Sequence, residues 1–168
     1  PSLLGGILFD ANGERMTPTH SVKQGKRYRY YVSTSLVKGG SYLPSTRRRI
    51  PAGDLETILI ERLRKFLSSR KELLNALDEV HLDKLGDKHL IDRCEQTATE
   101  FGQSLERDRA IITACVRRVE IGHDSIKIEV SRGRLTALLA SGHVESPKGR
   151  PIDPSDHAVN LTAPTRLR

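Results

Sequence analysis

The sequence is poor in aromatic residues. It contains no tryptophan, and aromatic residues make up 4 % of its 168 residues, whereas charged residues make up 29 %. This composition argues against a large aromatic core and predicts a modest core under a broad solvated surface, in an elongated shape. The length suffices for one ordinary domain or two small ones.

Cysteines and long apolar runs are scarce as well. The two cysteines, Cys94 and Cys115, lie three heptads apart on a predicted helix, which separates them by about 31 Å. That distance excludes a disulfide and a shared metal ion, so both are expected to be small buried residues. No apolar run approaches the ~20 residues that a membrane-spanning helix needs. We therefore expect a reducing, cytoplasmic location and no membrane partner.

Acidic residues are scarce at the two ends of the chain. Residues 1–53 carry nine Lys/Arg against two Asp/Glu, residues 54–115 carry ten against thirteen, and residues 116–168 carry nine against six. The net charge of +7 predicts an anionic partner, with nucleic acid as the first candidate. We expect the chain to be a piece of a longer protein, because Pro1 is not a natural start and the end at 168 is abrupt.

The middle of the sequence is predicted to form two long helices. Pro51 and Asp54 suit a helix N-terminus, and Gly86 separates two stretches in which apolar residues recur every three or four positions. The first seam is Leu59, Leu63, Phe66, Arg70, Leu73, Leu77 and Val80, and the second is Ile91, Cys94, Ala98, Phe101, Leu105, Asp108, Ile112, Cys115 and Val119. Helices of about 27–31 residues in an antiparallel coiled-coil hairpin are expected, with Arg70 and Asp108 as a possible pair across the seam.

The two ends of the chain are predicted to form strands. A hairpin over 7–20 with a type I′ turn at Asn12-Gly13, a second turn at Gln24-Gly25, and strands over 27–33, 126–130 and 157–164 are expected, with a short helix over 133–140. The predicted class is α+β. Three units are predicted: a small β domain over 1–50, the helical hairpin over 51–118, and a C-terminal β/α segment over 119–168 that packs with the first.

Cationic and aromatic side chains alternate in the basic N-terminal segment, residues 1–53, which we call the head of the chain. Cations contact phosphates and aromatic rings stack on bases, so this mixture favours nucleic acid binding. The predicted contact residues are Arg15, Lys23, Lys26, Arg27, Tyr28, Arg29, Tyr30, Arg47, Arg48 and Arg49. The alternative is that the tyrosines form the core of a small sheet and the cations are merely solvated.

The ordered set of motifs resembles large serine recombinases. The stretch "LLGGILFDANGERMTPTHSVKQGKRYRYYVS", followed by "RRRIPAGDLETILIERLRKFL", is similar to their zinc β-ribbon and its exit into a long coiled-coil helix. The stretches "VRRVEIGHDSIKIEVSRGRLTALL" and "VNLTAPTRLR" resemble the C-terminal part of a bacterial subset. The resemblance covers nearly the whole chain, although no single motif within it is decisive.

The sequence departs from that family at the metal ligands. The family's ribbon usually has Cys-x-x-Cys before Gly-x-x-Met and a further cysteine after the Tyr-Tyr strand, and those positions here hold Phe9, Asn12 and Ser33. None of these is a thiolate ligand, so no zinc and no other cofactor is expected. Apolar burial of Ile7, Phe9, Met16 and the tyrosines would then have to stabilise the ribbon, which is expected to pack on the base of the helical hairpin or on residues 119–140.

The resemblance implies a fragment of a site-specific DNA integrase encoded by a mobile element. Its ribbon would bind double-stranded DNA, with Arg15 or Arg29 at base edges, and its coiled-coil hairpin would meet another subunit in the bacterial cytoplasm, at the nucleoid. No segment resembles the catalytic domain, so this chain is expected to have no catalytic site and no small-molecule substrate. Two alternatives stay open: a helical-hairpin scaffold with loose anion binding, and an RNA-binding module.

Overall fold

A computed structural model describes residues 2–37, 49–77, 87–142 and 156–165. The strands are β1 (Leu8–Phe9), β2 (Met16–Lys23), β3 (Lys26–Ser33), β4 (Arg49–Pro51), β5 (Val116–Ile121), β6 (Ser125–Ser131) and β7 (Ala158–Pro164). The helices are α1 (Thr34–Val37), α2 (Ala52–Ser68), α3 (Arg70–Ala76), α4 (Asp87–Glu100), α5 (Leu105–Cys115) and α6 (Arg132–Ser141). The chain is therefore α+β, as predicted, and β6, α6 and β7 confirm the elements expected after residue 125.

Two sheets form the β part of the fold. β2, β3 and β4 make an antiparallel three-stranded sheet, and a four-stranded sheet has the order β1-β5-β6-β7. β1 runs parallel to β5, with Leu8 opposite Val119, so the start of the chain adds an edge strand to the C-terminal sheet. Alternating residues of β5 to β7 are buried, which is the period of two expected of strands with one covered face.

The two head turns differ from each other in type. Gln24 and Gly25 both have positive φ, at 50° and 75°, and connect the directly paired Lys23 and Lys26, as a type I′ turn requires. At the first turn only Gly13 has positive φ, so the type I′ prediction for Asn12-Gly13 was wrong. Strand pairing there is one isolated bridge, between Phe9 and Arg15.

The first predicted long helix is divided in two at Ser69. This residue is extended, with φ −99° and ψ 104°, and its hydroxyl accepts a hydrogen bond from the Glu72 N–H at 3.3 Å. A serine that caps a new helix ends the preceding one, because its backbone lies outside the helical region. The observed helices are therefore α2 and α3 rather than one continuous helix.

The second predicted helix is also divided, at residues 101–104. Gly102 has φ +83°, and Ser104 caps α5 by accepting from the Arg107 N–H at 3.1 Å. Asp108 is buried and accepts from the Gly102 N–H at 2.8 Å, so it does not pair with Arg70 as proposed from the seam. The helix ends at Cys115, and residues 116–118, predicted to be helical, belong to β5 because Val116 pairs with Val130.

α2 and α4 pack against each other in opposite directions. Arg64 in α2 donates to the Phe101 carbonyl just after the end of α4, while Leu67 near the end of α2 lines a groove together with Leu90 and Cys94 near the start of α4. The antiparallel arrangement thus exists locally between short helices. The predicted turn around Gly86 lies outside the described residues.

One continuous apolar cluster contains residues from all three predicted units, including Leu8 in β1, Leu59 in α2 and Ile128 in β6.

Cys94 and Cys115 are buried and free, as predicted, and burial raises the pKa of their thiols to about 11 and about 12. Among the helices of the described segments, none has the length and apolar character to cross a bilayer.

Candidate nucleic-acid interface

The β2–β3 hairpin extends past its third strand as a two-stranded arm. β4 pairs only with Tyr30, Tyr31 and Val32, whereas β2 and β3 remain paired out to Lys23 and Lys26. Every residue from 22 to 29 is exposed. We call residues 20–29 the arm; within the described part of the chain, no other strand pairs with it.

Both faces of the arm carry positive charge. Directly opposite residues of an antiparallel pair share a face, and neighbours along a strand alternate between faces. The first face therefore holds Lys23 and Lys26 with Tyr28, and the second holds Arg27 and Arg29. Four cations thus surround a ribbon of ten residues that has no carboxylate of its own.

A buried carboxylate anchors the base of the arm. Glu56, at the start of α2, is 6 % exposed, and its Oε2 lies 3.0 Å from Nη2 of Arg29. The Tyr31 hydroxyl donates to Glu56 Oε1 at 2.8 Å and accepts from Ser2 Oγ and from the Leu4 N–H. The network ties β3 to α2 and to the first residues of the chain.

The Tyr31 phenol is fully buried within this network. Desolvation by burial raises its pKa to about 12. The hydrogen bonds from Ser2 and Leu4 lower the pKa, and the neighbouring Glu56 carboxylate raises it, both less than burial does. The phenol therefore stays protonated at neutral pH and donates its hydrogen bond to Glu56 permanently.

A cation stacks on an aromatic ring where the arm joins the three-stranded sheet. The Arg49 guanidinium lies 4.0 Å from the centroid of the Tyr30 ring, and its Nη2 contacts the Ser21 hydroxyl at 3.5 Å. Tyr30 is half-buried, while Tyr28 next along the face is 42 % exposed. Tyr31 belongs to the core, as expected if the tyrosines form the core of a small sheet. Tyr28 is exposed and remains free to contact nucleic acid.

On its second face, the arm borders a groove of about 240 Å³. Its lining residues include His20, Arg27 and Arg29 of the arm together with Ser2 and Ala52. Because Arg27 and Arg29 both carry guanidinium groups, the groove is attractive to an anion.

The loop between β1 and β2 is organised around the carboxylate of Asp10. This residue is 2 % exposed; its Oδ1 accepts from the Asn12 and Glu14 N–H groups at 2.9 and 3.0 Å. Its Oδ2 accepts from the Ser33 hydroxyl at 2.7 Å, which joins the loop to the end of β3. We call this group of four residues the Asp10 knuckle.

The Asp10 knuckle does not fit a zinc ion. At two of the positions where the resembling family has cysteines, Asn12 presents a backbone N–H and Ser33 presents a hydroxyl, and both are donors to Asp10. Zinc needs electron-pair donors such as thiolates and imidazoles. Within the described ranges, no group of three or more His, Cys, Asp or Glu residues is placed to hold a metal ion.

Phe9, at the third ligand position, lies beneath a cation. The Arg118 guanidinium is 3.8 Å from the centroid of its ring, and Arg15 lies farther away, at 5.9 Å. Arg118 also contacts Glu120 at 3.3 Å within β5. The head of the chain thus packs on residues 116–121, through this stack and through the pairing of β1 with β5.

Seven of the ten predicted contact residues lie on the arm or at its base. Lys23, Lys26, Arg27, Tyr28 and Arg29 lie together on the arm, and Tyr30 and Arg49 lie at its base. Arg15 lies at the knuckle end of β2, about 27 Å from the tip of the arm at ~3.4 Å per residue, and does not belong to the group. Arg47 and Arg48 lie outside the described residues.

Sequence reasoning missed Asp10, Glu56 and Arg118 as organising residues. Asp10 and Glu14 are the two acidic residues among residues 1–53, which carry a net charge of +7. Two lone carboxylates in a basic segment could have indicated a structural role for them. Glu14 accepts from the Ser35 hydroxyl at 2.8 Å, so both head carboxylates form hydrogen bonds. Glu56 and Arg118 lie in other segments of the sequence, and no local pattern connects them to Arg29 or Phe9.

No protein-family model matches the chain, and the searches of curated proteins and of solved structures gave no match either.

Proposed function

We propose that this chain binds double-stranded DNA through the arm. The observation that carries the proposal is the exposure of Lys23, Lys26, Arg27 and Arg29 on a single two-stranded element. Cations that neutralise backbone phosphates release counterions, which is the main source of affinity for nucleic acid. The exposed Tyr28 and the Arg49–Tyr30 stack add surfaces that contact bases and sugars.

We propose further that the chain is the DNA-binding and subunit-interaction part of a serine site-specific recombinase. The support for this step is the ordered sequence resemblance, from the "RYRYYVS" strand to the helix that follows Ile50 and Pro51. In this proposal the chain performs no strand exchange itself. It places a catalytic domain, carried elsewhere in the parent protein, on a DNA attachment site in the bacterial cytoplasm.

In this proposal, the helices α3 and α4 make the contact with another subunit. Leu74 in α3 and Ile91 in α4 are 44 % and 41 % exposed, and they flank the same apolar groove. Large exposed apolar residues in one place favour contact with another protein surface. Sedimentation of the isolated chain at increasing concentration tests this assignment, and a monomer at all concentrations, with or without DNA, would contradict it.

A titration with three nucleic acids tests the DNA proposal. We expect the chain to bind a mixed-sequence DNA duplex with a steep loss of affinity as salt rises, and to bind an RNA duplex and single-stranded RNA more weakly. Equal or tighter binding to RNA would favour the RNA-binding alternative. Weak binding to all three, without a salt dependence, would favour the scaffold alternative.

A further inference from the structure

We propose that the groove on the second face of the arm binds one phosphate monoester group. This inference goes beyond DNA binding, because it assigns a second and much smaller ligand to the arm. It rests on the proposed function only for its consequence, which is that the small ligand competes with DNA for Arg27 and Arg29.

Donor side chains from both strands of the arm meet in this groove. His20 lies directly opposite Arg29, and Arg27 lies two residues before Arg29 on the same strand, so the three side chains share one face. All three residues line the groove, together with Ser2 from the start of the chain. The groove is therefore lined by two guanidinium groups, an imidazole and a hydroxyl.

Arg27 is the uncompensated charge of the groove. It is exposed, and among the described residues no carboxylate forms an ion pair with it. A guanidinium group binds phosphate oxygens through parallel hydrogen bonds, which suits it to this ligand better than a lysine ammonium. Arg27 can therefore bind a phosphate group without giving up an ion pair to a described residue.

Arg29 is held in place before a ligand arrives. Two of its N–H groups donate to the buried Glu56 carboxylate, at 3.0 and 3.4 Å, and 45 % of its side chain remains exposed. The Tyr31 hydroxyl donates to the same carboxylate at 2.8 Å, so the carboxylate is itself fixed. A preoriented guanidinium loses little conformational freedom on binding an anion, and its remaining N–H groups are donors for that anion.

The set of donors matches a phosphate monoester better than a phosphodiester. A monoester has three terminal oxygens and carries a charge of about −1.5 to −2 at neutral pH. A diester of the DNA backbone has only two terminal oxygens and a single negative charge. Arg27, Arg29 and His20 supply one donor group for each terminal oxygen of the monoester.

The size of the groove selects a small ligand. Its volume of about 240 Å³ equals that of roughly eight water molecules at ~30 Å³ each. This is below the ~300–1,000 Å³ of sites for drug-sized ligands, so the groove fits a phosphate group on a short stem and not a base pair. Two sources supply that chemistry, namely a free small molecule and the terminal phosphate of a DNA strand.

Nuclear magnetic resonance titration of the chain with methyl phosphate and with dimethyl phosphate tests the site. We expect the monoester, methyl phosphate, to shift the amide signals of His20, Arg27 and Arg29 and to bind roughly tenfold more tightly than the diester. Equal affinities for the two compounds, or no saturation by methyl phosphate below about 10 mM, would overturn the assignment.

Two single variants show whether the groove or the general charge of the arm binds the ligand. Arg27→Ala is expected to weaken methyl phosphate binding roughly tenfold, because a charge-assisted hydrogen bond is lost. Lys26→Ala removes the same charge from the neighbouring position on the first face and is expected to change the affinity less than about twofold. Equal losses in the two variants would contradict a site in the groove.

A DNA duplex with and without terminal phosphates separates the two sources. Tighter binding of the phosphorylated duplex would support the site and identify a DNA end as its ligand, whereas equal binding of the two duplexes, with methyl phosphate still bound, would support a free small molecule.

Competition connects the site to the proposed function. Saturating methyl phosphate is expected to weaken duplex binding more than sodium chloride of the same ionic strength does, because both ligands use Arg27 and Arg29. A chain that binds methyl phosphate but no duplex would overturn the proposed function and leave this site standing. A chain that binds the duplex but not methyl phosphate would overturn this inference and leave DNA binding standing.

Discussion

The Ser33 hydroxyl donates a hydrogen bond of 2.7 Å to the Asp10 carboxylate, joining the end of β3 to the loop that follows β1. Asp10 also receives the Asn12 and Glu14 N–H groups, so one buried carboxylate organises the turn. In the resembling family, cysteines and a zinc ion are expected at this place. Here a hydrogen-bonded carboxylate gives the loop its shape.

Replacing Asp10 is expected to destabilise the fold. Asp10→Ala leaves the buried Ser33 hydroxyl and two partly buried N–H groups without their acceptor. The unsatisfied buried hydroxyl alone costs about 1–3 kcal/mol, and the partly buried N–H groups cost less because water can reach them. Asp10→Asn keeps an acceptor for both N–H groups and is expected to cost less than Asp10→Ala. Urea unfolding of the three proteins measures the difference. An unchanged midpoint for Asp10→Ala would contradict the organising role of this carboxylate.

The purified chain is expected to contain no stoichiometric zinc. Phe9, Asn12 and Ser33 supply no thiolate, and the Asp10 carboxylate at the centre of the knuckle already accepts hydrogen bonds from Asn12, Glu14 and Ser33. Elemental analysis checks this, together with thermal unfolding in the presence and absence of a chelator. About one zinc per chain, or a lower midpoint with chelator, would show that a metal stabilises the head.

The elements of this fold were largely predictable, but the breaks in its helices were not recognised. Apolar spacing identified the helical regions, because burial of one face dominates helix stability. The same spacing ran straight through Ser69, Gly102 and Ser104, where capping hydrogen bonds and a positive φ end the helices. Serine and glycine are common at helix ends, and here they end the helices although the apolar spacing continues. The spacing was also imperfect, because the polar residues Arg70 and Asp108 occupied two of its positions.

Gly102→Ala is expected to destabilise the chain by about 1–2 kcal/mol, because alanine at φ +83° is strained. A Cβ atom there would also lie 2.8 Å from Arg64 Nη2 and disturb the contact of Arg64 with the Phe101 carbonyl. Gly53→Ala is the matched control, since nothing lies within 4 Å of its Cβ position in the first turn of α2. This control is expected to be neutral or stabilising by up to about 1 kcal/mol. Equal unfolding midpoints for the two variants would contradict the assigned junction.

The fold is expected to lose stability between about pH 10 and pH 12. The buried Tyr31 phenol has a pKa of about 12 in the folded chain and about 10 when unfolded, so the folded state holds its proton more tightly. Its contribution is therefore complete below pH 10 and is lost as pH rises toward 12, by roughly 2–3 kcal/mol. Burial raises the pKa of the two cysteine thiols as well, so they add to the loss in the same direction.

The variant Tyr31→Phe separates the phenol from the thiols. At pH 8 it is expected to be less stable than the parent chain by about 1–3 kcal/mol, because Leu4 N–H and Glu56 lose a partner. The gap is expected to narrow as pH approaches 12. Parallel stability curves for the two proteins would show that Tyr31 does not titrate as assigned.

The composition of the arm was predictable from sequence, but its anchorage was not. The alternation of Arg27, Tyr28 and Arg29 placed cations and a ring on opposite faces of one strand, and the strand register agrees. The bond between Arg29 and Glu56 joins residues in different elements, so no spacing along the chain signals it. The cation–ring stack of Arg118 on Phe9 has the same non-local origin.

The salt dependence of DNA binding by the double variant Arg27→Ala/Arg29→Ala tests the central claim most directly. Each phosphate contact contributes about 0.9 to the slope of log K against log salt. The variant is therefore expected to bind more weakly, with a slope reduced by about 0.9 for Arg27 and by up to about 0.9 more for Arg29, whose guanidinium also pairs with Glu56. Lys71→Ala/Arg109→Ala removes the same charge from exposed positions on α3 and α5 and is expected to keep the parent slope. An unchanged slope in Arg27→Ala/Arg29→Ala, or an equal reduction in both double variants, would contradict binding through the arm.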